Sequence, residues 1–242
     1  CQYEPDGELE ACAKEIFEAE IEPSDTIIPP DTEYRYGGGQ WQIAGGIAET
    51  ASKKSWAQLF TEIYAEPCDL KHSGFAHQYH FPGQEGAAQN GFPYPHPFES
   101  NLDNIVPTEN PLIEGGMYTS MDDYGKLLMM HLKGGLCGEN RVHESATIDR
   151  MHADRINEVY GGVTEFGVLG LEGYGMGWFV DRSSDGLSVD PGAYGSFPYV
   201  DWTRNIAVFT ALEESILPEG LELYLRLRPV IEAAVDGMSD GQ

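Results

Sequence analysis

The feature that most restricts the fold of this 242-residue chain is a change of pattern near residue 160. Before it, apolar residues recur at helical spacing between loops. After it, from Gly161 to Gly192, glycines cut the chain into short β-like runs such as Trp178-Phe179-Val180. Ile206-Ala207-Val208-Phe209-Thr210 then reads as a strand, and Pro218 opens a last helix to about Val235. Helices first, strands next and one closing helix imply an α+β fold: a helical lobe, then antiparallel strands and a C-terminal helix. The expected division is a mainly helical lobe at 1–160, with a long loop at 81–112, and antiparallel strands plus the C-terminal helix at 161–242.

Local signals place the helices. Leu9, Cys12, Ile16 and Phe17 give one apolar face over 7–20. Tyr36-Gly37-Gly38-Gly39 is a flexible turn leading into a helix over 40–51. Ser55 is a candidate N-cap for a helix over 56–65. The clearest helix spans 119–133: Thr119 or Ser120 caps it, Asp122 and Asp123 lie in its acid-favouring first turn, and Gly134-Gly135 stops it. A further helix is expected over 145–155. The stretch 81–112 carries six prolines and three glycines without a sustained period, and so reads as a long surface loop.

Charge excludes some partners. With 40 acidic against 14 basic residues the formal charge is −26, which repels phosphate backbones and anionic lipid. Nucleic acid is therefore not an expected partner. No apolar run approaches the roughly 18 residues of a membrane span. The acidic surface also fits a salty milieu.

Four cysteines, at 1, 12, 68 and 137, form no CxxC pair and have no histidine at zinc-finger spacing. Two disulfides in an exported protein, or four buried thiols, both fit. The expected pairing is Cys1–Cys12, a short loop, and Cys68–Cys137, two helix-end junctions. That favours a secreted or periplasmic location. Cys1 would also suit a mature lipoprotein.

Motifs of common chemistry are missing: there is no GxSxG, HExxH, P-loop or strand-to-helix GxGxxG, and no serine stands three residues before a lysine. His72, His77 and His80 are close in sequence, but no third metal ligand accompanies a helical pair, and His96 between two prolines reads as a loop residue. Neither metal nor other cofactor is implied.

Five segments in order carry a resemblance. They are 30–45, centred on Tyr36-Gly37-Gly38 with Glu49 beyond; 55–56 with 66–75; Gly115-Gly116-Met117-Tyr118-Thr119-Ser120-Met121-Asp122-Asp123-Tyr124; Tyr174-Gly175-Met176-Gly177-Trp178; and Asp190-Pro191-Gly192-Ala193-Tyr194-Gly195. Together they resemble the serine β-lactamase-like family, which includes class C β-lactamases, penicillin-binding carboxypeptidases and related esterases. The family's Ser-x-x-Lys lies upstream of everything matched. By this resemblance the chain is the carboxy-terminal part of a longer hydrolase, lacking roughly a hundred residues on the scale of one domain.

The resemblance implies an acyl-enzyme reaction on a small-molecule ester or amide, with the missing N-terminal segment of the same protein supplying the nucleophile. Tyr36 would be the phenol that relays a proton, and the Ala193 N–H an oxyanion donor. Gly38, Asp190, Gly192 and Tyr194 would bind substrate. Gly38 stands where the family has a side-chain amide, and Asp190 where it has a cation or histidine. Both departures disfavour a penicillin-like anion and favour an ester or neutral amide. They also leave room for a non-catalytic binding protein on the same fold, and Asp190-Pro191-Gly192 alone also reads as a plain turn.

Overall fold

The structure is a computed structural model, and it describes residues 1–4, 6–20, 27–75, 108–184, 186–212 and 219–239. The expected loop over 81–112 lies mostly outside these residues, as do His77, His80 and His96. The chain divides into two compact units, Cys1–Tyr124 and Gly125–Gln242.

In the first unit, α1 (Leu9–Glu20) packs on α2 (Gly39–Ser52). Their approach requires glycine. A Cβ at Gly46 would stand 2.4 Å from the Ala13 Cβ, and one at Gly45 would stand 2.8 Å from Ile113. α3 (Trp56–Phe60) starts at Ser55, whose side chain accepts from the Gln58 N–H while Gln58 accepts from the Ser55 N–H. This reciprocal cap satisfies two N–H groups that a helix start leaves open. The helix runs on to Ala65, but its second half, Thr61–Ala65, widens so that Glu66 N–H reaches the Thr61 carbonyl. A two-residue pairing joins β1 (Gly74–Phe75) to β2 (Met117–Tyr118).

α4 (Met121–Leu132) begins as expected: Ser120 Oγ accepts from the Asp123 N–H. It ends at Gly134 and Gly135, both left-handed, and a Cβ at Gly135 would lie 2.0 Å from the His143 carbonyl oxygen. Asp123 is 1% exposed, and its carboxylate accepts from the N–H groups of Lys71 and His72 and the hydroxyl of Ser73. It ties two of the resembling segments together.

The second unit continues with the short pair β3 (Leu136–Cys137) and β4 (Asn140–Arg141). The single helix expected over 145–155 is two: α5 (Ser145–His152) and α6 (Arg155–Tyr160). The break falls at Asp154, whose side chain caps the second helix through the Asn157 N–H. A five-stranded antiparallel meander follows in chain order: β5 (Gly173–Tyr174), β6 (Phe179–Val180), β7 (Leu187–Val189), β8 (Ser196–Asp201) and β9 (Ile206–Ala211). α7 (Glu219–Ser239) lies on this sheet, with Tyr224 packed against Phe197 and Tyr199. Arg228 pairs with Asp181 and Glu232, and Arg204 with Asp201 and Asp236, so two guanidinium forks join the helix to the strand ends. The α+β architecture is therefore the one expected.

Cys1 and Cys12 form a disulfide. Cys68 and Cys137 are also disulfide-bonded, and no cysteine is free. No helix among the described residues is long and apolar enough to cross a membrane.

Two glycine substitutions should act in opposite directions. Gly46→Ala gains about 1 kcal/mol of helix propensity but forces its methyl into Ala13, where overpacking costs about 1–3 kcal/mol. Gly125→Ala, inside α4 with open space around its Cβ, gains the propensity alone. Thermal melts should show a lower midpoint for the first variant and a higher one for the second.

Candidate active site

The candidate residues fall on two turns, one in each unit. The first turn enters α2. Tyr36 is 53% exposed, and Gly38 is the N-cap, its carbonyl accepting from the N–H groups of Trp41 and Gln42. One turn into the helix, Gln42 is completely buried. Its amide donates to Asn110 Oδ1 (3.0 Å) and the Pro111 carbonyl (2.9 Å), and its Oε1 accepts from the Ile113 N–H (3.1 Å). These three bonds hold the 110–113 segment along α2 and deliver the next residue, Glu114, to the helix start.

Glu114 fills the space beside Gly38. A Cβ on Gly38 would stand 2.0 Å from Glu114 Oε2 and 2.2 Å from Gln2 Nε2. Gln2 Nε2 donates to Glu114 Oε1 at 2.8 Å, and the Tyr3 hydroxyl reaches the same oxygen at 3.4 Å. Partial burial pushes the Glu114 carboxyl above its ordinary value. Residues 1–4 are themselves fixed, by the Cys1–Cys12 disulfide and by Asn110 Nδ2 donating to the carbonyls of Cys1 and Glu4. At the far end of α2, Glu49 accepts from the Trp56 N–H at 2.5 Å, so this residue links α2 to α3.

The second turn joins β7 to β8. Asp190 N–H donates to the Pro198 carbonyl at 3.1 Å. Proline returns no N–H, so the β7–β8 ladder stops at Val189. The Asp190 side chain is half-buried and has no hydrogen bond or ion pair among the described residues. Desolvation pushes its carboxyl up to about 6. Gly192 donates to the Ser196 carbonyl at 2.7 Å, and a Cβ there would lie 2.8 Å from that oxygen. The tight space at Gly192 is thus filled by the hairpin itself. Gly195 closes the turn with φ +92°. Ala193 is exposed and its N–H donates to no described acceptor, whereas Tyr194 is half-buried.

Glycine also shapes the Tyr174–Trp178 segment, where a Cβ at Gly175 would lie 2.2 Å from the Met151 carbonyl oxygen. Trp178 packs on a histidine pair: His131 Nδ1 and His152 Nε2 are 3.0 Å apart, and Trp202 covers His152 from another side. Burial lowers His131 to about 4 and His152 to about 3. No group of three or more potential metal ligands occurs among the described residues.

Sequence reasoning missed Gln42 and Glu114. The signal for Glu114 was a lone acid directly before Gly115-Gly116; nothing local marked Gln42 as a buried hub.

Comparison with known proteins gives the family. The family model described as Beta-lactamase matches residues 14–216. The chain belongs to the beta-lactamase family. A protein assigned as a beta-lactamase from Bacteroides dorei superposes with a TM-score of 0.63 at 25% identity, over 86% of this chain and 57% of its own. The octameric penicillin-binding protein homologue from Pyrococcus abyssi gives 0.57 at 17% identity, over 89% and 47%. Simvastatin synthase from Aspergillus terreus, as its LovD9 mutant, gives 0.51 at 14% identity, over 84% and 57%. No curated protein matches the chain. The chain spans about half the length of these structures.

The histidine pair predicts a pH response. The unfolded chain holds both imidazoles near 6.5, so as pH falls through that value it binds protons that the folded state refuses until about 4 and about 3. The pair's contribution is full above pH 6.5 and is lost as pH falls. By pH 5 the loss is about 2 kcal/mol per imidazole. Urea midpoints at pH 7.5 and 5 should therefore converge in a His131→Gln/His152→Gln variant relative to the parent.

Proposed function

We propose that this chain is the carboxy-terminal part of a serine hydrolase that cleaves ester or amide bonds through an acyl-enzyme, closer in kind to esterases and peptidases than to true β-lactamases. The observation that carries this reading is the beta-lactamase family match over 14–216, in a chain with no Ser-x-x-Lys of its own. The nucleophile belongs to a further segment of the same protein. Serine adds to the substrate carbonyl, the leaving group departs with a proton, and water then releases the acyl group. In this scheme Tyr36 relays the proton to the leaving group, and its exposure at the head of α2 leaves the phenol accessible. The Ala193 N–H, without a described acceptor, is the oxyanion donor. Gly38, Asp190, Gly192 and Tyr194 border the substrate. The disulfides fit a secreted or periplasmic protein.

A second reading, a non-catalytic binding protein on this fold, is favoured by the carboxylates at Asp190 and beside Gly38.

The test uses a chromogenic ester and a chromogenic cephalosporin. The 242-residue chain alone should give background rates with both. The protein extended by its upstream coding sequence should turn over the ester, and Tyr36→Phe should lower that rate about a hundredfold, the scale of one general acid–base group. Ester turnover by the 242-residue chain that Tyr36→Phe abolishes would place the nucleophile within it. An extended protein without Ser-x-x-Lys and without turnover would establish the binding protein instead.

A further inference from the structure

We propose that Glu114 is a specificity-determining residue at the Gly38 turn, two residues beyond Tyr36, and that the substrates it selects are esters or amides bearing a protonated amine. The inference rests on the reading of Tyr36 given above and adds the substrate class to it.

The space at residue 38 is where a side chain would project from the turn that carries Tyr36. Glycine leaves it open, and Glu114 occupies it from another part of the chain, with Oε2 2.0 Å from the missing Cβ position. Only Oε1 takes the described hydrogen bonds, from Gln2 and Tyr3. Oε2 accepts none, and no described cation pairs with the carboxylate. The nearest basic residue in sequence to Tyr36, Arg35, is paired with Glu33 instead. A ligand against this turn therefore meets an acceptor with spare lone pairs and negative charge. It is satisfied by N–H donors, best by an ammonium, and it repels a carboxylate.

The placement is built. Gln42 fixes residues 110–113 through three bonds, and the Cys1–Cys12 disulfide with Asn110 fixes the two groups that hold Oε1. The second unit has the same polarity independently: Asp190, on the β7–β8 turn, carries a carboxylate with no described hydrogen bond or ion pair. Each of the two candidate turns thus carries a carboxylate with no ion-pair partner among the described residues.

The test needs no turnover. The 242-residue chain, 15N-labelled in low-salt buffer, is titrated with alanine amide (a protonated amine), N-acetylalanine amide (neutral) and N-acetylalanine (a carboxylate). Alanine amide should shift the amides of Gly37, Gly38 and Gly39 saturably, at about tenfold lower concentration than the neutral probe, the scale of one partly desolvated charge pair. N-acetylalanine should leave them unmoved. Glu114→Gln should abolish the difference, and Glu114→Asp should retain part of it. Equal affinity for the first two probes, preference for the carboxylate, or no shift at 37–39 overturns the proposal. The catalytic reading fails separately: if alanine amide binds as expected but Tyr36→Phe leaves ester turnover in the extended protein unchanged, the ammonium preference stands without the proton relay.

Discussion

The first unit depends on one buried amide. Gln42 has no solvent contact, and its two ends satisfy a side-chain oxygen, a carbonyl and an N–H on the 110–113 segment. A buried polar group left unpaired costs about 1–3 kcal/mol, so each bond specifies the arrangement more than it stabilises it. From this latch the rest follows. Ile113 fits against Gly45, Asn110 turns to hold the first residues of the chain, and Glu114 arrives at the start of the same helix. The space at Gly38 is filled because of a residue four positions along, acting through a segment 68 residues away.

The second unit is organised differently. Its sheet is built from neighbours in sequence, so each strand pairs with the one before it. The apolar face of that sheet is closed by Tyr224, with charged forks from Arg204 and Arg228 at the rim. Pro198 ends one ladder early, which frees Asp190 and the five residues after it to form a turn rather than a strand. The turn is therefore a consequence of strand chemistry, and Gly192 and Gly195 are explained by its closure before any ligand is considered.

The elements most legible in the sequence were those set by local chemistry. The Ser55 cap, the Ser120 cap, the Gly134-Gly135 stop and the strand at Ile206 depend on residues within four positions of one another. The Cys1–Cys12 loop was legible as well, because a separation of 11 residues closes at small entropic cost. The break between α5 and α6 was missed because Asp154 competes as a cap inside an otherwise helical pattern. Gln42 and Glu114 were not legible, because their partners lie about 70 and 112 residues away. The glycine at 38 was visible as a missing side chain; that another residue fills its place required the fold.

The placement of Glu114 at the Gly38 turn is read directly by a carboxyl 13C titration of the 242-residue chain. Glu114 should titrate above its ordinary value of 4.5, and the Gly38 and Gly39 amide shifts should move with the same midpoint. Amide shifts that stay flat while Glu114 titrates, or a Glu114 carboxyl at or below the ordinary value, would contradict it.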